Sequence, residues 1–130
     1  MQVLGIDHVV LRVADLERAV AFYDRVLGCK VERRQDDIGL VQLRAGSALI
    51  DLVSTTGVLG RRGGAAPGQE GRNMDHFCLT VGEFDPNDVR RQLSESGVGI
   101  ESFGSRYGSN GEGFSFYIMD PDGNHIELRG

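Results

Sequence analysis

The first half of the chain has the pattern of one strand, one helix and three further strands. From Ile6 to Val13, apolar side chains alternate with more polar ones, which is typical of a β-strand whose two faces differ. A period near 3.6 follows over Leu16–Leu27, with Asp15 placed as the N-cap and Gly28 as the stop. Three more strands are predicted: Lys30–Arg34, Gly39–Leu43 and Ala48–Val53.

The second half repeats this order of elements. A strand is predicted over Met74–Val81, and a helix begins at Pro86 after the capping residue Asp85 and ends by Gly97. The turn sequence Asp-Pro-Asp-Gly then joins the last two strands as a hairpin. The predicted strands after this helix are Gly99–Phe103, Phe114–Met119 and His125–Arg129. Both halves therefore read β-α-β-β-β.

Glycine-rich stretches mark the breaks in this pattern. The 19 glycines of the chain concentrate in residues 57–73 and 104–113, and both stretches are predicted as loops. We expect one domain over residues 1–130, with a first module at 1–54, a linker at 55–73 and a second module at 74–130. The fold class is α+β: two βαβββ modules with the helices on the outer face of the strands.

Composition excludes several classes of protein. The chain has 130 residues and a net charge of −5 without a basic block, which argues against nucleic-acid and anionic membrane surfaces. No apolar run approaches the roughly 20 residues of a membrane span. Cys29 and Cys78 lack C-x-x-C spacing, so reduced thiols and a cytoplasmic location are expected.

An Asp-His pair opens the first strand of each half, in IDHVVLRV and in MDHFCLTV. The last strands carry an acid between two large apolar residues, Asp51 in the first half and Glu127 in the second. Because side chains alternate along a strand, these acids point away from their apolar neighbours. Each half thus contributes one histidine, His8 or His76, and one carboxylate. The preceding residues, Asp7 and Asp75, are predicted to cap strand entries.

Two imidazoles and two carboxylates, on the sheet faces opposite the apolar residues, form a plausible site for a divalent metal. This mixed nitrogen and oxygen set suits Zn, Ni, Co, Mn or Fe(II). Taken singly, each histidine is more often structural and Glu127 more often a solvated acid, whereas Asp51 is about as often a surface acid as a ligand. The repeat favours the metal, because four unrelated accidents would have to follow the same internal symmetry.

At these residues the sequence resembles the vicinal oxygen chelate superfamily, which includes glyoxalase I, fosfomycin-resistance thiol transferases, bleomycin-resistance proteins and extradiol dioxygenases. The strongest stretches are DHVVLRVADLERAVAFYDRVLG and FYIMDPDGNHIEL. The resemblance implies that the sheets curl into a half-open cup around one metal and that chains pair as homodimers. His8, His76 and Glu127 match the metal triad of the family, and Asp51 matches its fourth ligand.

Among these activities, the resemblance favours glyoxalase I, a lyase that isomerises a thiol hemithioacetal through a metal-held enediolate. Glu127 matches the catalytic base, with Asp51 as the second catalytic carboxylate. Substrate-binding roles are expected for three residues: Arg12, Thr55 and Tyr117. The sequence departs from the glyoxalase pattern where Asp51 replaces a glutamate, Thr55 an asparagine and Asp75 a glycine.

Three alternatives remain open. SNGEGFSFYIMDPDGNHIE resembles the region of fosfomycin-type thiol transferases that holds potassium. Val10 stands where those enzymes carry threonine, however, and Asp51 is an unexpected acid there. An extradiol-type dioxygenase would share the triad, but Asp51 would crowd its open metal positions. A bleomycin-resistance-like protein would bind a drug without catalysis and typically lacks the metal quartet. In all cases we expect a small-molecule partner, and for the enzymes one with adjacent oxygens.

Overall fold

The computed structural model describes residue 2, residues 4–70, residue 72 and residues 74–130. Met1, Val3, Gly71 and Asn73 lie outside the described residues, so two positions of the predicted linker are not covered. The chain divides into two units, Met1–Glu70 and Gly71–Gly130, and the division falls within that linker. The expected fold, two βαβββ modules, is confirmed in each unit.

The first unit contains a four-stranded mixed sheet and one helix. Its elements are β1 (His8–Val13), α1 (Leu16–Arg25), β2 (Val31–Gln35), β3 (Leu40–Ala45) and β4 (Ala48–Ser54), followed by a short 3₁₀ turn at Gly60–Gly63. The strand order is β1-β4-β3-β2, with β1 parallel to β4 and the other pairs antiparallel. Asp15 caps α1 as predicted, accepting the amide N–H of Arg18 at 3.0 Å.

The second unit repeats this topology. Its elements are β5 (His76–Thr80), α2 (Pro86–Glu95), β6 (Ile100–Gly108), β7 (Gly111–Met119) and β8 (His125–Arg129). The order β5-β8-β7-β6 matches the first unit strand for strand, and β5 again runs parallel to β8. Asp85 caps α2 through the amides of Asn87 and Asp88, as the sequence predicted.

The prediction of a loop at 104–113 is wrong. Strands β6 and β7 extend to Gly108 and from Gly111, so most of this stretch is a hairpin. The guanidinium of Arg129 explains the glycines, since a Cβ at Gly108 or Gly113 would stand within 2.8 Å of it. Close approach to a side chain, rather than loop conformation, accounts for these two glycines.

One face of each sheet is apolar and packs under its helix. In the first unit the buried core includes Tyr23, Leu43, Ile50 and Leu52, and α1 contacts β3 and β4. In the second unit the buried core includes five residues: Leu93, Phe116, Ile118, Ile126 and Leu128. The opposite face of each sheet carries the candidate site residues. No helix in the described part of the chain is long and apolar enough to cross a bilayer.

Candidate metal and catalytic site

His76 and Glu127 lie together in the second unit. In the parallel β5–β8 pair, Cys78 stands opposite Glu127, and His76 is two residues earlier on the same face. The Nε2 atom of His76 is 3.2 Å from Oε2 of Glu127. The Nδ1 atom of His76 is hydrogen-bonded to Asp75 Oδ2 at 2.6 Å, and Nε2 is the ring nitrogen directed toward the Glu127 carboxylate.

Glu127 is buried, with 6% of its surface exposed, and its carboxylate is surrounded by donors. Ser115 Oγ donates to Oε1 at 2.5 Å, and the Tyr117 hydroxyl also donates to this carboxylate. Burial raises the pKa of Glu127, but the hydrogen bonds from Ser115 and Tyr117 and the charge of His76 outweigh it. The net pKa therefore lies below its ordinary value. Glu127 is held as an ionised, anchored carboxylate.

His8 and Asp51 occupy the equivalent strand positions in the first unit. In the parallel β1–β4 pair, Val10 stands opposite Asp51, and His8 is two residues earlier on the same face. The Nδ1 atom of His8 is bonded to Asp7 Oδ1 at 2.6 Å. That bond, opposed by burial and helped by the charge of Asp51, raises the pKa of His8 above its ordinary value.

Asp51 has far fewer partners than Glu127. Its exposed fraction is 5%, and Gln42 Nε2 donates to Oδ2 at 3.0 Å. Its other oxygen, Oδ1, is buried and accepts no hydrogen bond from any residue that the structure describes. Buried carboxylate oxygens are rarely left without a donor or a cation. This orphaned oxygen, on the face that carries His8, fits a metal ligand or a proton acceptor.

The side chains of Asp7 and Asp75 are hydrogen-bonded to the histidines that follow them, and their predicted role as caps of the strands stays a prediction. Each accepts a hydrogen bond from the Nδ1 of the following histidine, although the side chains are 92% and 96% exposed. Metal-binding histidines commonly donate their second ring N–H to a carboxylate, which orients the ring and raises the basicity of the other nitrogen. Both aspartates therefore present a histidine Nε2 in a manner suited to a metal.

Arg12 is engaged by the glycine-rich linker. All its guanidinium nitrogens donate to backbone carbonyls between residues 60 and 65, at distances from 2.7 to 3.1 Å. Arg12 thus holds this segment against β1, and its binding of a substrate carboxylate stays a prediction. Thr55 donates its amide N–H to Val13 at 3.0 Å, which places it at the end of β1. Its substrate-binding role also stays a prediction.

Tyr117 lies against both members of the second pair. Its ring contacts the His76 ring edge-on at 5.4 Å, and its hydroxyl bonds to Glu127. Burial, followed by the Glu127 carboxylate, raises the pKa of Tyr117, so the phenol keeps its proton and acts as a donor. The face of β7 that carries both Ser115 and Tyr117 is therefore the face directed toward His76 and Glu127.

Sequence reasoning missed three residues around these pairs. Gln42 is the donor to Asp51, and Ser115 is the donor to Glu127. The guanidinium of Arg106 stands 5.6 Å from the centre of the Tyr117 ring. The signal for Ser115 was present, since it alternates with Phe114 and Phe116 in the sequence. Finding Gln42 required the register of β3 against β4, which the sequence alone does not provide.

Cys78 is an exposed thiol opposite Glu127 in the β5–β8 pair. Partial desolvation of the thiol, followed by the negative charge of Glu127, raises its pKa to about 11. The thiol therefore stays protonated at neutral pH and is a poor nucleophile.

Each unit brings one histidine and one acid to the same face, which gives a pair of candidate ligands in each. Over the described residues, no group of three or more histidine, cysteine, aspartate or glutamate side chains gathers as a metal site. The donor chemistry of each pair nevertheless fits a divalent ion of borderline softness. The unpartnered Oδ1 of Asp51 and the two buttressed histidines are the observations that support this fit.

Comparison with known proteins identifies relatives over the whole chain. A family model described as the Glyoxalase/Bleomycin resistance protein/Dioxygenase superfamily matches residues 5–128. A glutathione transferase FosA of Serratia marcescens is 30% identical, over 95% of this chain and 79% of that protein. The virulence protein STM3117 of Salmonella typhimurium is 33% identical, over 95% of this chain and 81% of its own.

Solved structures give the same picture of the fold. The crystal structure of the Salmonella virulence protein superposes with a TM-score of 0.78 at 30% identity, covering 99% of this chain and 98% of that one. A lactoylglutathione lyase from Agrobacterium tumefaciens superposes with a TM-score of 0.73 at 22% identity, covering 98% and 94%. At that identity the likeness concerns the fold alone.

Proposed function

Since the chain belongs to the Glyoxalase/Bleomycin resistance protein/Dioxygenase superfamily, we propose that it is a metal-dependent enzyme acting on a small substrate with adjacent oxygens. The favoured reaction is glyoxalase-like isomerisation of a thiol hemithioacetal, in which a proton moves between neighbouring carbons. The observation that carries this proposal is the orphaned Oδ1 of Asp51, a buried carboxylate oxygen on the sheet face that carries His8. A homodimer and a cytoplasmic location form part of the proposal and rest on the resemblance and the composition.

Four side chains would hold the metal: His8, Asp51, His76 and Glu127. The two imidazoles would coordinate through Nε2, because Nδ1 of each is bonded to an aspartate. When bound, the ion supplies Lewis-acid stabilisation of negative charge on the adjacent oxygens of the substrate. Its identity among Zn, Ni, Co, Mn and Fe is left to experiment.

The two carboxylates would divide the remaining work. Glu127 receives hydrogen bonds from Ser115 and Tyr117, which lower its basicity and favour a role as a fixed ligand. Asp51 keeps one oxygen without a donor, which favours it as the group that accepts a proton from carbon and returns it. Glu127 as the base, which the resemblance implies, stays a prediction that the variants below test.

Fosfomycin-type thiol transfer is the second candidate function. It is supported by the 30% identity to a protein named glutathione transferase FosA across 95% of this chain. Here the thiol would come from a cosubstrate, because the pKa of Cys78, about 11, keeps that side chain protonated. Simple thiol addition does not require a proton to be moved between carbons, so the proton-accepting role proposed for Asp51 favours isomerisation.

The test is elemental analysis of the purified protein, followed by assays of the apo form restored with Ni, Zn, Mn, Co or Fe(II). Metal-dependent turnover of a hemithioacetal made from glutathione or another cellular thiol is the expected result. Metal-dependent addition of a thiol to fosfomycin, without hemithioacetal turnover, would replace the first function by the second. Absence of any bound metal, combined with tight binding of a planar aromatic drug, would contradict both.

A further inference from the structure

The side chain that orients Asp51 comes from the neighbouring strand. In the antiparallel β3–β4 pair, Gln42 stands directly opposite Asp51, and its Nε2 donates to Oδ2 at 3.0 Å. A carboxylate with one oxygen tied cannot rotate freely about its last bond. The tie therefore determines where Oδ1, the oxygen without a donor, is directed.

The second unit has a donor at the equivalent place. In the β7–β8 pair, Tyr117 stands directly opposite Glu127 and donates to its carboxylate. Strands β3 and β7 hold the same position in the two sheets, third along the chain and next to the acid-bearing strand. Gln42 and Tyr117 are therefore counterparts in the internal repeat, each the cross-strand donor to the acid of its unit.

Burial makes this role specific to Gln42. Asp51 is only 5% exposed, so water does not readily replace a hydrogen-bond donor that its carboxylate loses. Two neighbours of Gln42 on β3, Val41 and Leu43, are fully buried core residues that point to the opposite face. A polar side chain between them has one evident partner in the described structure, and that partner is Asp51.

We propose that Gln42 is a positioning residue of the candidate site, holding Oδ2 of Asp51 so that Oδ1 is directed toward a metal ion or a substrate proton. The proposal rests on the proposed function, since it concerns the same carboxylate. It predicts that loss of the amide weakens metal binding by about 10- to 100-fold, the range typical of residues that orient metal ligands.

The experiment measures Co²⁺ affinity by competition with a chromophoric chelator, together with the visible spectrum of the bound Co²⁺. Gln42→Met keeps the length of the side chain and removes the donor, and Gln35→Met on β2 is the matched control. We expect Gln42→Met to weaken binding 10- to 100-fold and change the spectrum, and Gln35→Met to leave both unchanged within about twofold.

A double variant separates positioning from a general structural effect. In the Asp51→Ala background the Gln42→Met change should cost no further affinity, because the group that it positions is absent. An equal loss in both backgrounds would overturn the proposal, as would wild-type affinity in Gln42→Met. If Gln42→Met does not fold, Gln42→Asn, whose amide is one methylene short of Asp51, replaces it under the same two criteria.

These outcomes also separate the inference from the proposed function. Wild-type protein that binds Co²⁺ and is indifferent to Gln42→Met overturns the role of Gln42 alone. Wild-type protein that binds none of the divalent ions overturns the metal-dependent function and the positioning role together.

Discussion

Asp51 and Glu127 occupy the same place in the two units but have different surroundings. Each lies on the last strand of its unit, two residues past the position opposite its histidine. Glu127 accepts from Ser115 and Tyr117 and lies 3.2 Å from His76, whereas Gln42 is the one side-chain hydrogen-bond donor to Asp51 among the residues that the structure describes. Duplication has kept the position of the acid, and the neighbouring side chains have made one acid anchored and the other available.

The difference teaches that internal symmetry identifies a site without assigning roles within it. Two carboxylates in equal positions are separated chemically by the number of donors around them. On this account both acids would hold the metal, and the available acid, Asp51, would also accept and return a proton. The predictions that follow change the two sides of this comparison one at a time.

The largest effect is expected when the two acids are neutralised separately. Asp51→Asn should reduce turnover by about 10²- to 10⁴-fold, the typical contribution of a general base. Glu127→Gln should reduce metal content more strongly than Asp51→Asn does, because it removes the anchored ligand. Metal analysis and steady-state kinetics on both variants measure how metal binding and turnover divide between the two acids. Asp37→Asn, at an exposed position, is the control. Higher residual turnover in Asp51→Asn than in Glu127→Gln at full metal loading would reverse the assignment.

A smaller effect, on stability, is expected when one of the hydrogen bonds that hold Glu127 is removed. Ser115→Ala should lower the free energy of unfolding of the metal-free protein by roughly 1.5–3 kcal/mol at neutral pH, the worth of a hydrogen bond to a charged group. The exposed Ser105, which donates to Glu112 at 2.7 Å, provides a matched control. Ser105→Ala should change stability by less than about 0.5 kcal/mol.

The loss in Ser115→Ala should depend on pH in a definite direction. The pKa of Glu127 is lower in the folded protein than in the unfolded chain, so its ionised form stabilises the fold above the unfolded pKa. That contribution disappears as pH falls through the folded pKa. The difference between wild type and Ser115→Ala should therefore shrink in acid, as urea unfolding at several pH values would measure. A difference that grows in acid would contradict the anchored, ionised state.

A third prediction concerns the glycine-rich segment held by Arg12. Arg12→Met should increase hydrogen exchange of the amides at 60–65 by about tenfold, equivalent to ~1.4 kcal/mol of lost local stability. Mass-spectrometric exchange measures this directly, and Arg33→Met on the exposed strand β2 serves as control. Unchanged exchange in Arg12→Met would leave the guanidinium free for a substrate and would favour the role implied by the family resemblance.

The smallest effect is expected at the first histidine. Asp7→Asn should lower the pKa of His8 toward its ordinary value, because the hydrogen bond to Asp7 is the main cause of its elevation. Proton NMR titration of the His8 ring in the metal-free protein follows this change. A pKa that stays raised would show that Asp51, and not Asp7, sustains it.

The sequence alone predicted the parts of the fold that depend on local pattern. The order of elements in both units, the helix caps at Asp15 and Asp85 and the last strand, His125–Arg129, all follow from periodicity and capping chemistry. The pairing of histidine with acid in each unit also followed, because the repeat places them on corresponding strands.

What remained beyond prediction depends on contacts between distant parts of the chain. Gln42 acquires its partner only through the register of β3 against β4, and a shift of one residue would turn it to the other face. The glycines of 104–113 indicated a loop, whereas close approach of Arg129 explains Gly108 and Gly113 within a hairpin. The four carbonyl partners of Arg12 lie about fifty residues away along the chain.

The most direct test is the stoichiometry of metal binding, measured by calorimetric titration of the metal-free protein with Co²⁺ and checked by elemental analysis. From the ligand set that the family resemblance implies, the account predicts one ion per chain, with binding severely weakened by His8→Ala and by His76→Ala alike. Two ions per chain, each lost in only one of these variants, would contradict it, as would binding that survives either substitution unchanged.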